Sequence, residues 1–250
     1  MPLLLGEYNV SVESQPLARA VTSLGREALR IVLPSWCVSC RQTLPWRARK
    51  ASCCAECWSA MRRLPEVKCS SCALPGAAVC LQCIIEPLPV GWCDAWGVYA
   101  GPLAALVQTF KYDRHDFLDD VLAGLLEEVL RARGDLAFDA IVPVPMHPAK
   151  VRRRGYNQAA LLGRALASRI GVPVKPLLAK TTDRGTQSSL TRRERAENVR
   201  GSYVASDAAG LSLLLIDDIC TTGETLRACA SQLVAQGAAR VCALTVAKAD

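Results

Sequence analysis

An α/β fold, with a largely parallel sheet and flanking helices, is predicted for most of this 250-residue chain, preceded by a small N-terminal module held together by metal. Three observations lead there. Cysteine pairs at one fixed spacing crowd the first third; strand-like and helix-like segments alternate from about residue 94 onward; and a continuous apolar strand runs into two carboxylates and a hydroxyl-rich turn. With 51% hydrophobic and 21% charged residues the chain lies outside the disordered class. No apolar run reaches the roughly 18 to 20 residues of a bilayer span, and the N-terminal stretch meets Glu7 after three leucines. Neither a membrane span nor a secretory signal is expected, so the expected location is cytoplasmic.

The elements follow in order. Residues 15–34 place Leu17, Val21, Leu24, Ala28, Leu29 and Val32 near helical spacing, which predicts an amphipathic helix stopped by Pro34. Then come four Cys-x-x-Cys pairs: Cys37 and Cys40, Cys54 and Cys57, Cys69 and Cys72, Cys80 and Cys83. Such a pair lets two thiolates approach one ion from a tight knuckle, and two knuckles complete the tetrahedron that a structural Zn²⁺ prefers. Eight cysteines therefore predict two four-thiolate zinc sites. Disulfides are the rival, but without an export signal the cytosol would keep these thiols reduced. Pairing neighbours in sequence gives two consecutive zinc ribbons; crossed pairing satisfies the same count. Cys53 competes with Cys54, and the two-residue gap to Cys57 favours Cys54. Cys93 has no knuckle partner and reads as a small buried hydrophobe. The predicted domains are an N-terminal helix and linker over 1–34, a double zinc ribbon over 35–92, and an α/β domain over 93–250.

In that last domain, 94–100 reads as a strand, 102–111 and 117–133 as helices, 139–145 as a short strand closed by prolines, and 156–169 as a helix. A weaker strand over 172–178 and another over 202–205 precede a strong buried one over 211–217, a helix over 222–236 and a closing strand over 240–247. Charge is uneven: positions 150–200 hold thirteen Lys and Arg against Asp183, Glu194 and Glu197, a local +10 in a chain of +7. A basic block of that size points to an anionic partner such as phosphate, nucleotide or nucleic acid, against the alternative of a solvated basic face.

The most informative stretch is 213–226. In open α/β sheets ligands bind beyond the carboxyl ends of strands, where Asp217, Asp218 and the turn Thr221, Thr222, Gly223, Glu224, Thr225 must lie. Hydroxyls and free backbone N–H groups at a helix start suit a phosphate dianion. The two acids suit ribose hydroxyls or the water shell of a divalent cation. A plain acidic N-cap explains one carboxylate and a threonine but not the whole order. A sugar phosphate fits both halves.

These residues resemble a family. The 216–225 segment is similar to the phosphoribosyl pyrophosphate motif of type I phosphoribosyltransferases, and the chain from about residue 33 to 248 resembles the ComF family, which joins a double zinc ribbon to such a domain. Further marks are 141–159, Thr186 to Leu190, Arg193 to Val199, and the Phe-Lys-Tyr of 110–112. The resemblance implies that Asp217 and Asp218 contact ribose hydroxyls, that Thr221 through Thr225 bind the 5′-phosphate, and that the 143–148 turn is the pyrophosphate loop. It also implies a hood over 180–200, with Arg184, Gln187 and Arg193 meeting pyrophosphate, and a Mg²⁺ carried with phosphoribosyl pyrophosphate. Arg154 and Asn157 are added as ligand-orienting candidates. Transfer of phosphoribosyl to an acceptor is the implied activity. The other implied class is a non-catalytic nucleotide- or single-stranded-DNA-handling protein in DNA uptake, meeting a competence helicase or uptake channel; the single aromatic Tyr156 within 150–200 weakens DNA binding by that segment alone. Lys111 reads as a helix-dipole complement or a functional cation, His147 as a structural hydrogen bonder, and Cys220 as a packing residue.

Overall fold

The computed structural model describes residues 36–44, 52–112, 118–181 and 201–249. The helix expected over residues 15–34 and the candidates Arg184, Gln187 and Arg193 lie outside the described residues. Two short helices, α1 (Ala55–Ser59) and α2 (Leu81–Ile85), start at the second and fourth knuckles. They precede β1 (Cys93–Val98), α3 (Gly101–Tyr112), α4 (Leu118–Arg133) and β2 (Ala140–Pro143). Next come α5 (Pro148–Arg154), α6 (Gln158–Ile170), β3 (Leu178–Lys180) and β4 (Tyr203–Ala205). The chain closes with β5 (Ser212–Cys220), α7 (Glu224–Ala235) and β6 (Arg240–Lys248).

The main sheet is fully parallel in the order β1-β6-β5-β2. Its central strands are nearly all apolar because helices cover both faces, and a parallel sheet buried on both sides needs no polar alternation. Leu214, Ile216, Leu244 and Val246 face a core made with α3, α4 and α6, while Leu213, Leu215, Val241 and Ala243 face one made with α7. The first cysteine group joins the former core and the second the latter, so the two groups straddle the sheet at its β1 edge. The linker between them pairs with that edge: Val98 N–H donates to Arg62 O at 2.9 Å and Leu64 N–H to Trp96 O at 3.3 Å. Gly97 permits this approach, since a Cβ there would stand 2.5 Å from Arg62 O.

Three expectations are corrected. The helix foreseen over 156–169 is present as α6, capped by Asn157, but a helix that was not foreseen, α5, precedes it and ends at Gly155, at φ 90°. The strand foreseen over 172–178 is a single parallel bridge at Val174, its prolines at 173 and 176 limiting further pairing. Its continuation is the separate antiparallel pair β3-β4. Finally, β5 runs through the carboxylates to Cys220 rather than stopping at them. No helix among the described residues is long and apolar enough to cross a membrane.

Candidate functional site

The cysteines assemble as two tetrads, Cys37, Cys40, Cys54 and Cys57 in one and Cys69, Cys72, Cys80 and Cys83 in the other, each with its sulfurs within 4.8 Å of one another. Pairing is therefore sequential, and Cys54 rather than Cys53 is the tetrad member. Sulfurs about 2.3 Å from a shared tetrahedral ion stand about 3.8 Å apart. Cys40 Sγ and Cys54 Sγ are 3.7 Å apart and Cys72 Sγ and Cys80 Sγ 3.6 Å, so both groups fit a structural Zn²⁺. Burial opposes ionisation of Cys37, yet the N–H groups of Cys40, Cys54 and Ser39 outweigh it and lower that thiol to about 6. At Cys69 burial is likewise outweighed, by the N–H groups of Cys80, Ser71 and Cys72, to about 7. Each tetrad thus contains one thiol ready to become a thiolate, the metal-binding form.

On the sheet, strand alternation turns Asp217 and Asp218 to opposite sides of β5. Asp218, 3% exposed, points toward α3, where Lys111 Nζ lies 3.2 Å from its Oδ1. Its Oδ2 is buried and has no hydrogen-bond partner among the described residues. Asp217 lies on the α7 side, where it pushes up the ionisation of Tyr203 and Cys229, both already raised chiefly by burial. Asp217 itself is held well above the ordinary carboxyl range, first by burial and then by the neighbouring Asp218, with Lys111 acting against both.

After Cys220 the chain leaves the sheet. Lys248 donates to Thr221 O, and Ala249 N–H to Cys220 O at 2.9 Å, which ties the turn to the end of β6. Thr221 and Thr222 are exposed, and Gly223, at φ 81°, turns the chain into α7 with no side chain capping the helix start. Uncapped N–H groups beside two exposed hydroxyls have the chemistry of an anion cradle. The second tetrad backs this cradle. Leu88 lies 3.6 Å from where a Gly223 Cβ would be, Cys220 Sγ is 3.9 Å from Cys72 O, and Cys93 N–H donates to Ser70 O at 3.0 Å. The buried Arg227 of α7 donates to Glu86 O at 2.7 Å and Pro87 O at 2.6 Å.

The remaining candidates take the following places. Glu224 opens α7 and stands 3.7 Å from Arg227 Nε. Thr225 hydrogen-bonds Tyr203, whose hydroxyl also accepts from Lys180 Nζ at 3.0 Å. Asn157 is used locally, its Oδ1 accepting from Ala159 N–H and its Nδ2 donating to Val144 O. Arg154 donates to Gln158 Oε1 and lies over the Tyr112 ring at 5.2 Å, next in sequence to Lys111. His147 caps α5 by accepting from Ala149 N–H at 3.2 Å. Cys220 is buried against the ribbon, as a packing residue would be. Sequence reading missed Arg227 and the partner of Lys111. Arg227 had a local signal, an arginine inside the apolar stripe of α7; the Lys111–Asp218 contact spans 107 positions and had none.

The chain is similar to several known proteins. Residues 156–250 match the family model described as phosphoribosyl transferase domain. The chain is 31% identical over 220 residues to the DNA utilization protein YhgH of Salmonella typhimurium, covering 84% of this chain and 96% of the relative. It is 28% identical over 200 residues to competence protein F of Haemophilus influenzae, covering 76% and 86%. Competence protein ComFC of Streptococcus pneumoniae is 28% identical over 183 residues, covering 69% and 77%. Among solved structures, a purine phosphoribosyltransferase from Pyrococcus horikoshii aligns with a TM-score of 0.32 at 17% identity, over 50% of this chain and 69% of that one.

Proposed function

This chain belongs to the ComF family, and from that premise we propose that it binds phosphoribosyl pyrophosphate with Mg²⁺ and transfers the phosphoribosyl group to an acceptor. We take its parts as an N-terminal segment (1–34), a double zinc ribbon (35–92) with one structural Zn²⁺ per tetrad, and the phosphoribosyltransferase domain (93–250). One observation carries the reading: an uncapped helix start with exposed Thr221 and Thr222 directly follows a strand bearing two inward carboxylates. The cradle holds the 5′-phosphate through N–H groups of 221–225 and threonine hydroxyls. A pentose lying across the end of β5 meets one acid on each side, and both accept hydrogen bonds from its hydroxyls. The acceptor forms a bond to the anomeric carbon as the bond to pyrophosphate breaks, pyrophosphate leaves with the electron pair, and the acceptor gives up its proton. By the family resemblance Arg184, Gln187 and Arg193 would meet the departing pyrophosphate, and Arg154 is a further candidate for orienting the ligand. Mg²⁺, when bound with the donor, neutralises part of that charge. Release of pyrophosphate across a panel of candidate acceptors tests this reading. No release above the Asp217→Asn/Asp218→Asn background with any acceptor would reject the transfer step.

A second reading, handling of single-stranded DNA, is favoured by one feature. Tyr112 is 74% exposed beside Arg154, with Arg152 and Arg153 exposed on the same helix, and ring plus cation is the chemistry on which unpaired bases stack. The relatives named for DNA utilization and competence point the same way. Anisotropy of a labelled oligonucleotide against salt, for wild type and Tyr112→Ala, tests it; equal affinities would reject Tyr112 as the stacking platform.

A further inference from the structure

The diacid is an electrostatic problem that the chain must solve before any ligand arrives. Two adjacent carboxyls sit at the end of a buried strand; Asp218 is 3% exposed and one of its oxygens has no hydrogen-bond partner among the described residues. A buried carboxylate without compensation takes up a proton, and a protonated carboxyl is a hydrogen-bond donor with diminished capacity to accept. Vicinal hydroxyls and the water shell of a divalent cation both require acceptors. The ionisable neighbours divide by side. Toward Asp217 stand Tyr203 of β4 and Cys229 of α7, with Lys180 of β3 engaged at Tyr203. Cys220 follows on β5 itself, and Lys248 of β6 is engaged at Thr221 O. Toward Asp218 stands Lys111 of α3, 3.2 Å from Oδ1 and itself four-fifths buried.

We infer that Lys111 is a positioning residue for the donor site: its ammonium, paired with Asp218, favours the charged form of the diacid against burial, and so favours hydrogen bonds from a ribose diol. The inference rests on the proposed donor reading for its consequence, but not for its cause. Removing the cation leaves the two neighbouring carboxyls without that counter-charge, so Asp217 holds its proton to still higher pH. Lys111 already acts on Asp217 across the strand, against burial and against Asp218. The last-turn position of Lys111 on α3 also complements that helix dipole, but a dipole partner would have no reason to change how donor affinity depends on pH.

Two arms test this with wild type, Lys111→Met and Lys111→Arg. In the first, phosphoribosyl pyrophosphate with Mg²⁺ is titrated calorimetrically across neutral and mildly acidic pH. The donor's own titration is common to all three proteins and cancels. Lys111→Met is expected to move the acid limb of donor affinity upward by about one pH unit or more, a loss of up to about tenfold within the limb, while Lys111→Arg keeps the wild-type limb. Profiles of Lys111→Met and wild type that run parallel would overturn the inference, as would an arginine variant shifted as far as the methionine one. The second arm needs no donor: the infrared band of protonated carboxyls in the ligand-free proteins is expected to persist to higher pH in Lys111→Met, and an unchanged band would overturn the inference. If Lys111→Met does not fold, Lys111→Gln is read in the same way. Should wild type take up no donor, the functional reading falls while the infrared arm still decides the role of the lysine.

Discussion

Replacing Arg227 by Ala removes a guanidinium that is 7% exposed and that fastens the second cysteine tetrad to the helix behind the anion cradle. Two hydrogen bonds are lost, to Glu86 O at 2.7 Å and Pro87 O at 2.6 Å, each charge-assisted and therefore about 1.5 to 3 kcal/mol. The nearby Glu224, partly buried and 3.7 Å from Nε, would lose its ion-pair partner. Breaking such a buried arrangement costs about 3 to 5 kcal/mol, a large part of the roughly 5 to 15 kcal/mol that holds a typical domain together. The assay is urea unfolding with metal-loaded protein, followed at the tryptophans. Arg227→Lys, which keeps the charge but not the fork, should fall between wild type and Arg227→Ala. A loss below about 1 kcal/mol for Arg227→Ala would refute the reasoning, because it would mean that the ribbon and the sheet domain stand without this strap.

Other expectations concern charge, metal and backbone. Because the folded Asp217 carboxyl keeps its proton to higher pH than the unfolded one, its contribution to stability falls as pH rises from the ordinary Asp value through the raised one. Asp217→Asn should therefore melt higher than wild type near neutral pH, by about 1.4 kcal/mol per unit of displacement, with the gain vanishing in acid; equal melting at both would contradict the assigned burial. Metal analysis should find two Zn²⁺ per wild-type chain and about one in Cys54→Ser, with two retained in Cys53→Ser; the reverse would reassign the knuckle. Gly97→Ala should destabilise by about 1 to 3 kcal/mol in thermal or urea unfolding, since its Cβ would stand 2.5 Å from the backbone oxygen of Arg62 as well as 2.9 Å from Leu103; a neutral effect would show that the linker is not held to the edge of β1.

What the sequence revealed follows from how local each signal is. The strands β5 and β6 were legible because a strand buried on both faces is a continuous apolar run, and the knuckles because their spacing is itself the chemistry. Gly155 and Asn157 signal a helix stop and a new helix start, but the short, arginine-rich segment before them has too few apolar residues to show a helical period, so α5 was not foreseen. The order of cysteines could not show that the two tetrads lie on opposite faces of the sheet, because that depends on the crossing at β1. Lys111 was legible as a helix-dipole complement or a functional cation, but not with its partner. Its partner Asp218 lies 107 positions away, and no periodicity or spacing connects them.

The most direct test is a calorimetric titration of phosphoribosyl pyrophosphate with Mg²⁺ into wild type and into Asp217→Asn/Asp218→Asn. Saturable binding near one donor per chain in wild type, reduced by about a hundredfold or more in the double variant, is the expected result if each acid supplies a charged hydrogen bond of about 1.5 to 3 kcal/mol. Equal binding by both proteins, or none by wild type, would contradict the assignment of the diacid and its threonine turn as the donor site.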